Sequence, residues 1–259
     1  CKDFFSESTY FRIVNNEIET SITNFNHIIE KLNVTYDEFF FLCNQQTWQI
    51  NEGLMHDIKV AYLKKDDLTL KAVREKMETM NQNSKIVHLQ WLCDALINRL
   101  KSIHVSSSEN KLVHYLLEIE EWTRYEIVLF NNSIFSFDID IVNILVQKII
   151  KKNYSYNLYK NNNRELFQLL INVTACNIQN SDFKKAKRIF NSAKELFLEE
   201  DALFEKNILL FWTGFFEAYN GEVEGKAKIK ESLNIFHLLN STNLFRMHKD
   251  LYDSFFIFE

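Results

Sequence analysis

The sequence predicts an all-α chain organised as helical repeats, and three observations carry that prediction. The chain of 259 residues contains no proline and only four glycines, so it lacks the turn residues that strands need at short intervals. Average usage would place about a dozen prolines in a chain of this length. Apolar residues recur at three- and four-residue spacing through most of the chain, the period of a helix with one buried face. With 46% hydrophobic and 14% aromatic residues, the chain has material for a sizeable core and is globular rather than disordered.

Short helices come first. Ser6 caps one that runs through Tyr10, Phe11 and Ile13, and Thr20 or Ser21 caps another that carries Phe25, Ile28, Ile29 and Leu32. Asn33-Val34-Thr35 breaks the second. Thr35 with Glu38 three residues on has the spacing of a capping box, ahead of the apolar run Phe39 to Leu42. From Trp48 to Leu63 the positions Ile50, Leu54, Ile58 and Tyr62 form a helical stripe, and Asp66-Asp67 caps a helix with Leu70, Val73, Met77 and Met80.

A series of paired helices follows, expected at Ser84 to Leu100, Glu109 to Phe130, Asp138 to Lys151, Arg164 to Asn180, Phe183 to Leu198, Leu203 to Asn220 and Glu224 to Leu239. Polar loops separate them, among them Ser106-Ser107-Ser108, Asn161-Asn162-Asn163 and Asn220-Gly221. Ala193-Lys194-Glu195-Leu196-Phe197 recurs weakly as Ser232-Leu233-Asn234-Ile235-Phe236, and Lys185-Ala186-Lys187 as Lys226-Ala227-Lys228. A helix-pair period near ~40 residues marks an α-solenoid, close to the tetratricopeptide class but with a longer unit.

In such an array one helix of each pair lines a concave groove, so a polar stripe on an apolar helix locates a candidate ligand face. On the helix from Arg164 to Asn180, Leu166, Leu169, Leu170 and Val173 make the core face, while Gln168, Asn172, Ala175 and Gln179 share the opposite one. An asparagine there can pair both the N–H and the C=O of an extended ligand backbone; a solvated outer face is the competing reading. The helix from Leu203 to Asn220 is apolar nearly all round, and its Asn207, Phe211, Gly214 and Ala218 form one strip. That strip suits close approach of a ligand backbone or, as the simpler account of Gly214, of another helix.

Nothing in the sequence has the form of a catalytic site. Phosphate-binding glycine loops, the nucleophile elbow and the zinc-protease helix motif are all missing, and no two of the seven histidines have the i, i+4 spacing of a shared metal. His114 with Glu118 reads as a surface contact. Cys1, Cys43, Cys93 and Cys176 lie too far apart in sequence for a zinc motif or a disulfide scaffold, which fits a reducing cytoplasm. No apolar run approaches the ~18 residues that span a bilayer. Neither a cofactor nor a metal is expected, and position 1 is not Met, so the chain is expected to begin inside a longer protein.

Three segments, in order, resemble the Rgg/MutR family of transcription regulators and their peptide-sensing PrgX-type relatives. They are Leu32-Asn33-Val34-Thr35-Tyr36-Asp37-Glu38-Phe39; Trp122-Thr123-Arg124-Tyr125-Glu126-Ile127 with Asn131; and Glu205-Lys206 through Gly214-Phe215-Phe216 to Gly221, then Ala227, Lys230 and Ile235-Phe236. The resemblance implies a partial helix-turn-helix over residues 1–45, a linker helix over 46–64 and a tetratricopeptide-like domain for peptide sensing and dimerisation over 65–259. It implies double-stranded DNA, a short apolar signalling peptide and a second copy of the chain as partners, in quorum sensing.

Carried over by position, Ser8, Thr9 and Arg12 match the family's recognition helix and would face DNA. Val14 and Asn16 stand where the family has an acidic residue and a glycine. Residues 1–45 carry seven carboxylates against three Lys or Arg, the wrong balance for duplex binding. This motivates an alternative: a helical-repeat module for protein interaction that no longer reads DNA. In the sensing domain the resemblance favours Asn172, with Asn131, Asn207, Phe211 and Gln168 as further candidate peptide contacts. The family's cysteine near the DNA-binding segment is Ile22 here, so its disulfide does not transfer. The apolar tail from Leu251 to Phe258 is expected to cap the last repeat or to pack on a partner subunit.

Overall fold

The computed structural model describes residues 6–43, 45–103, 105–153 and 163–256, and among these every regular element is helical. The chain divides into two compact units, residues 1–93 and 94–259.

The first unit holds α1 (Glu7–Val14), α2 (Ile22–Leu32), α3 (Tyr36–Cys43), α4 (Gln45–Leu63), α5 (Asp67–Glu78) and the start of α6 (Ser84–Leu100). Side-chain caps set the helix starts. Ser6 accepts from the Thr9 N–H at 3.2 Å, Ser21 from Asn24 at 3.2 Å, and Asp66 from Thr69 at 2.9 Å. Glu38 closes the expected box by accepting from the Thr35 N–H at 2.7 Å. Asn33 ends α2 in the left-handed region, where asparagine is tolerated better than most residues. Phe25 of α2 meets Phe39 of α3 edge to face at 4.9 Å. Leu54, Ile58 and Ala61 of α4 are buried, as are Leu70, Val73 and Met77 of α5, the two helices being neighbours.

The second unit runs from the end of α6 through α7 (Lys111–Glu118), α8 (Arg124–Ser133), α9 (Ile139–Asn153), α10 (Asn163–Gln179), α11 (Phe183–Lys194), α12 (Leu203–Tyr219), α13 (Val223–Leu238) and α14 (Thr242–Phe256). The single helix expected from Glu109 to Phe130 is two. Thr123 and Glu126 form a capping box that starts α8, and Lys148 of α9 donates to the Leu117 carbonyl at 2.6 Å near the end of α7. The apolar spacing continues across this break because Trp122 remains in the core. Helix α11 stops at Lys194, four residues before the expected end, and leaves Phe197 exposed.

Inner helices α8, α10 and α12 repeat at a constant step. Arg124 Nε donates to Glu165 Oε1 at 2.6 Å, and Arg164 Nε lies 3.0 Å from Glu205 Oε1. Each pair joins residues forty-one apart, close to the period of the weak internal recurrences. Successive repeats are therefore tied by ion pairs from α8 to α10 and from α10 to α12.

Helices α12 and α13 cross at Gly214 and Gly225. A Cβ on Gly225 would stand 2.2 Å from the Ala218 N and 2.6 Å from the Gly214 carbonyl, so the two backbones meet where neither glycine can carry a side chain. Helix α14 then closes the end. Phe255 and Phe256 pack on Phe215 at 5.4 Å each, and Phe255 reaches Phe183 at 5.8 Å, so this part of the tail covers the last repeat. Phe258 lies outside the described residues.

Candidate functional site: an amide pair between the inner helices

Helix α10 is bounded on three of its sides. Its core face buries Leu166, Leu169, Leu170 and Val173, as the apolar spacing requires. One flank meets α8 through Glu165, and the other meets α12 through Arg164. The fourth side is the strip of Gln168, Asn172, Ala175 and Gln179, with Asn172 and Gln179 exposed and Gln168 and Ala175 half-buried. The strip is thus the middle of a floor whose walls are α8 and α12.

On this floor the structure brings together two of the residues singled out in sequence. Asn172 Nδ2 donates to Asn131 Oδ1 of α8 at 2.8 Å. The pair repeats the forty-one-residue step of Arg124 and Glu165, two turns further along the same two helices. It uses one donor and one acceptor. Asn172 Oδ1 and Asn131 Nδ2 have no protein partner among the described residues, so the pair leaves an amide oxygen to accept and an amide nitrogen to donate.

Asn207 and Phe211 lie elsewhere, inside the packing of α12, α13 and α14. Asn207 is buried; its Nδ2 donates to the Ser232 carbonyl at 3.2 Å, and Ser232 Oγ donates to the Asn207 carbonyl at 3.0 Å. These two hydrogen bonds tie α12 to α13. Phe211 has no exposed surface and meets the His248 ring edge to face at 4.7 Å. In this arrangement neither side chain faces the floor. Their strip on α12 is filled by helix packing, which for Gly214 was the simpler expectation.

Two groups at the floor carried no signal in the sequence. Arg99 of α6 lays its guanidinium 4.7 Å from the Phe135 ring centre and donates through Nη1 to the Phe135 carbonyl at 3.2 Å. Phe135 lies in a 3-10 turn directly after α8, four residues beyond Asn131. On α10, Cys176 lies four residues beyond Asn172. Burial pushes the Cys176 thiol up from its ordinary range while the Arg99 charge draws it down, so Arg99 lies near α10 as well as the end of α8. A residue joined to its site across 36 positions and one helix pair leaves no periodic trace. The reciprocal pair of Asn143 and Asn177, 3.0 Å in both directions between α9 and α10, was also unforeseen and is structural.

In the first unit, Ser8 and Arg12 are exposed on α1, and Thr9 is half-buried. The Ser8 and Thr9 hydroxyls lie 3.0 and 2.8 Å from Ser6 Oγ, within the helix cap, and Arg12 Nε is 3.8 Å from Glu17.

Stacked helix pairs of this kind define a tetratricopeptide-like repeat domain. Residues 70–250 match the family described as HTH-type transcriptional regulator Rgg, C-terminal domain, and the chain belongs to that family. Its members are transcription regulators rather than enzymes. Among solved structures, the SHP pheromone receptor Rgg2 of Streptococcus dysgalactiae is 23% identical with a TM-score of 0.76, over 96% of this chain and 92% of that one. A transcriptional regulator from Listeria monocytogenes EGD-e is 19% identical with a TM-score of 0.81, over 97% and 88%. PrgX is 12% identical with a TM-score of 0.72, over 97% and 86%. At these identities the likeness is one of fold. No described helix is long and apolar enough to cross a membrane.

Proposed function

We propose that this chain is the sensing part of a peptide-responsive transcription regulator, and that a short apolar peptide lies across α8, α10 and α12 with its backbone held by Asn131 and Asn172. The observation that carries this reading is the free edge of the amide pair. An open amide oxygen and an open amide nitrogen match in kind the N–H and C=O that an extended peptide presents. Val128, three residues before Asn131 on α8, and Leu210 and Thr213 of α12 are half-buried and would supply apolar contact to such a peptide, with Gln168 one turn from Asn172 as a second polar contact. Regulation follows if the peptide favours one of two arrangements of a homodimer that differ in fit to an operator. Similarity to a solved pheromone receptor supports the peptide as ligand.

The same reading assigns DNA contact to Ser8, Thr9 and Arg12 of α1, exposed or partly so. The excess of carboxylates in residues 1–45 favours the second reading, a groove that takes a protein partner without operator binding. A mobility shift with the DNA flanking the gene separates the two; retardation at moderate salt supports the regulator, and none at any salt supports the interaction module.

The groove is tested by fluorescence anisotropy with labelled, short apolar peptides. Asn172→Ala and Asn131→Ala should each weaken the tightest binder about tenfold or more. Because Asn172 is exposed, its loss should cost folding less than ~1 kcal/mol. Unchanged binding in both variants would refute the assignment.

A further inference from the structure

Arg99 is fixed at the floor but not neutralised there. Its guanidinium rests on the Phe135 ring and gives one N–H to the Phe135 carbonyl. Of the five N–H donors of an arginine, the rest have no protein acceptor among the described residues, and no carboxylate there pairs with it. A guanidinium of this kind is well prepared for an anion. The aromatic ring orients its plane, and the fork matches the two oxygens of a carboxylate.

Its position relative to the amide pair is set by two helices at once. Phe135 follows Asn131 by four residues, and Cys176 follows Asn172 by four on α10. Arg99 touches the first and is felt electrostatically at the second. Arg99 therefore stands about one helical turn, roughly 5 Å, beyond the amides along the same floor. A peptide laid across the helices runs at an angle to this offset, so the guanidinium is met by a side chain, or by a terminus turned along α8, within one or two residues of the unit held by the amides.

We infer that Arg99, supported by Phe135, is the carboxylate anchor of this groove: it takes a carboxylate of the bound peptide, at the C-terminus or on an acidic side chain within two residues of the unit held by Asn131 and Asn172. The inference rests on the peptide reading above and adds polarity to it. The amides alone accept a peptide in either direction, whereas a cation at one end selects the direction that brings the negative group to it.

The test uses the tightest peptide from the anisotropy screen in three forms: with a free C-terminus, as the C-terminal amide, and with each Asp or Glu replaced by Asn or Gln. Each is titrated against the wild-type chain, Arg99→Gln and Arg99→Lys. One of the two neutralised forms should bind the wild type about tenfold or more weaker than the parent, and the arm that loses identifies the source of the carboxylate. Arg99→Gln should weaken the parent by a similar factor and be nearly indifferent to the neutralisation. Arg99→Lys should recover part of the loss, since it keeps the charge without the fork. Arg99 is exposed, so these variants should melt as the wild type does. If Arg99→Gln binds all forms as the wild type does while Asn172→Ala still loses binding, the anchor is refuted and the groove stands. If the asparagine variants also bind normally, or no peptide binds, groove and anchor fall together.

Discussion

Substitution of Gly225 by alanine sets two effects of opposite sign against each other. In a helix interior the change from glycine to alanine stabilises by about 1 kcal/mol. Here the added methyl would stand 2.2 Å from the Ala218 N, 2.8 Å from the Ala218 Cα and 2.6 Å from the Gly214 carbonyl, all backbone atoms of α12. No flexible side chain can yield, so α13 must move off α12, breaking the close contact and straining the bonds between Asn207 and Ser232. Overpacking of this kind costs roughly 3 kcal/mol, the upper end of the usual range, because the obstruction is rigid. The net loss is then about 2 kcal/mol, or a fall in melting temperature of roughly 4–8 °C for a unit of this size. Thermal denaturation followed by circular dichroism measures it. A melting temperature unchanged, or raised by the 2–4 °C or so that helix propensity alone gives, would refute the close crossing.

Further outcomes follow from single side chains. Thr123→Ala removes the hydroxyl of the box that starts α8 and should cost about 1 kcal/mol in urea denaturation; no loss would mean that the break after α7 rests on other contacts. His248 is buried between Phe211 and Phe236 and donates through Nδ1 to the Leu244 carbonyl at 2.8 Å. Burial holds its pKa below the ordinary 6.5. The unfolded chain then takes up a proton that the folded chain refuses, so stability falls as pH drops from about 6.5 toward the lowered value, and above 6.5 the contribution is intact. The wild type should lose urea midpoint between pH 7.5 and pH 5.5 by more than His248→Phe does; equal losses would assign the pH dependence to other groups.

The parts of this fold that were legible in the sequence depend on local chemistry. Ser6, Ser21, Thr35 and Asp66 cap helices as hydroxyl and carboxylate side chains do wherever a helix follows. The core face of α10 was legible because apolar spacing survives any tertiary arrangement. The break between α7 and α8 was missed although Thr123 and Glu126 have the spacing of a capping box, because Trp122 keeps the apolar pattern running through it. The overrun of α11 has the same cause, with Leu196, Phe197 and Leu198 extending the pattern past the last helical turn.

Site residues divide along the same line. Asn172 stood out because its stripe differs from the rest of α10, and the stripe is visible in one helix alone. Asn207 and Phe211 occupy an equally suggestive strip, but α13 and α14 cover it, and a single helix does not reveal what will cover it. Arg99 depends on the approach of α6 to the end of α8, a long-range arrangement without a sequence period.

The central claim is that the amide pair of Asn131 and Asn172 reads a peptide backbone. A crystal structure of the chain with the tightest peptide from the screen tests it most directly. The account predicts an extended peptide across α8, α10 and α12, with one backbone N–H on Asn172 Oδ1 and one C=O on Asn131 Nδ2. A peptide bound elsewhere, with the two amides still paired only to each other, would contradict it.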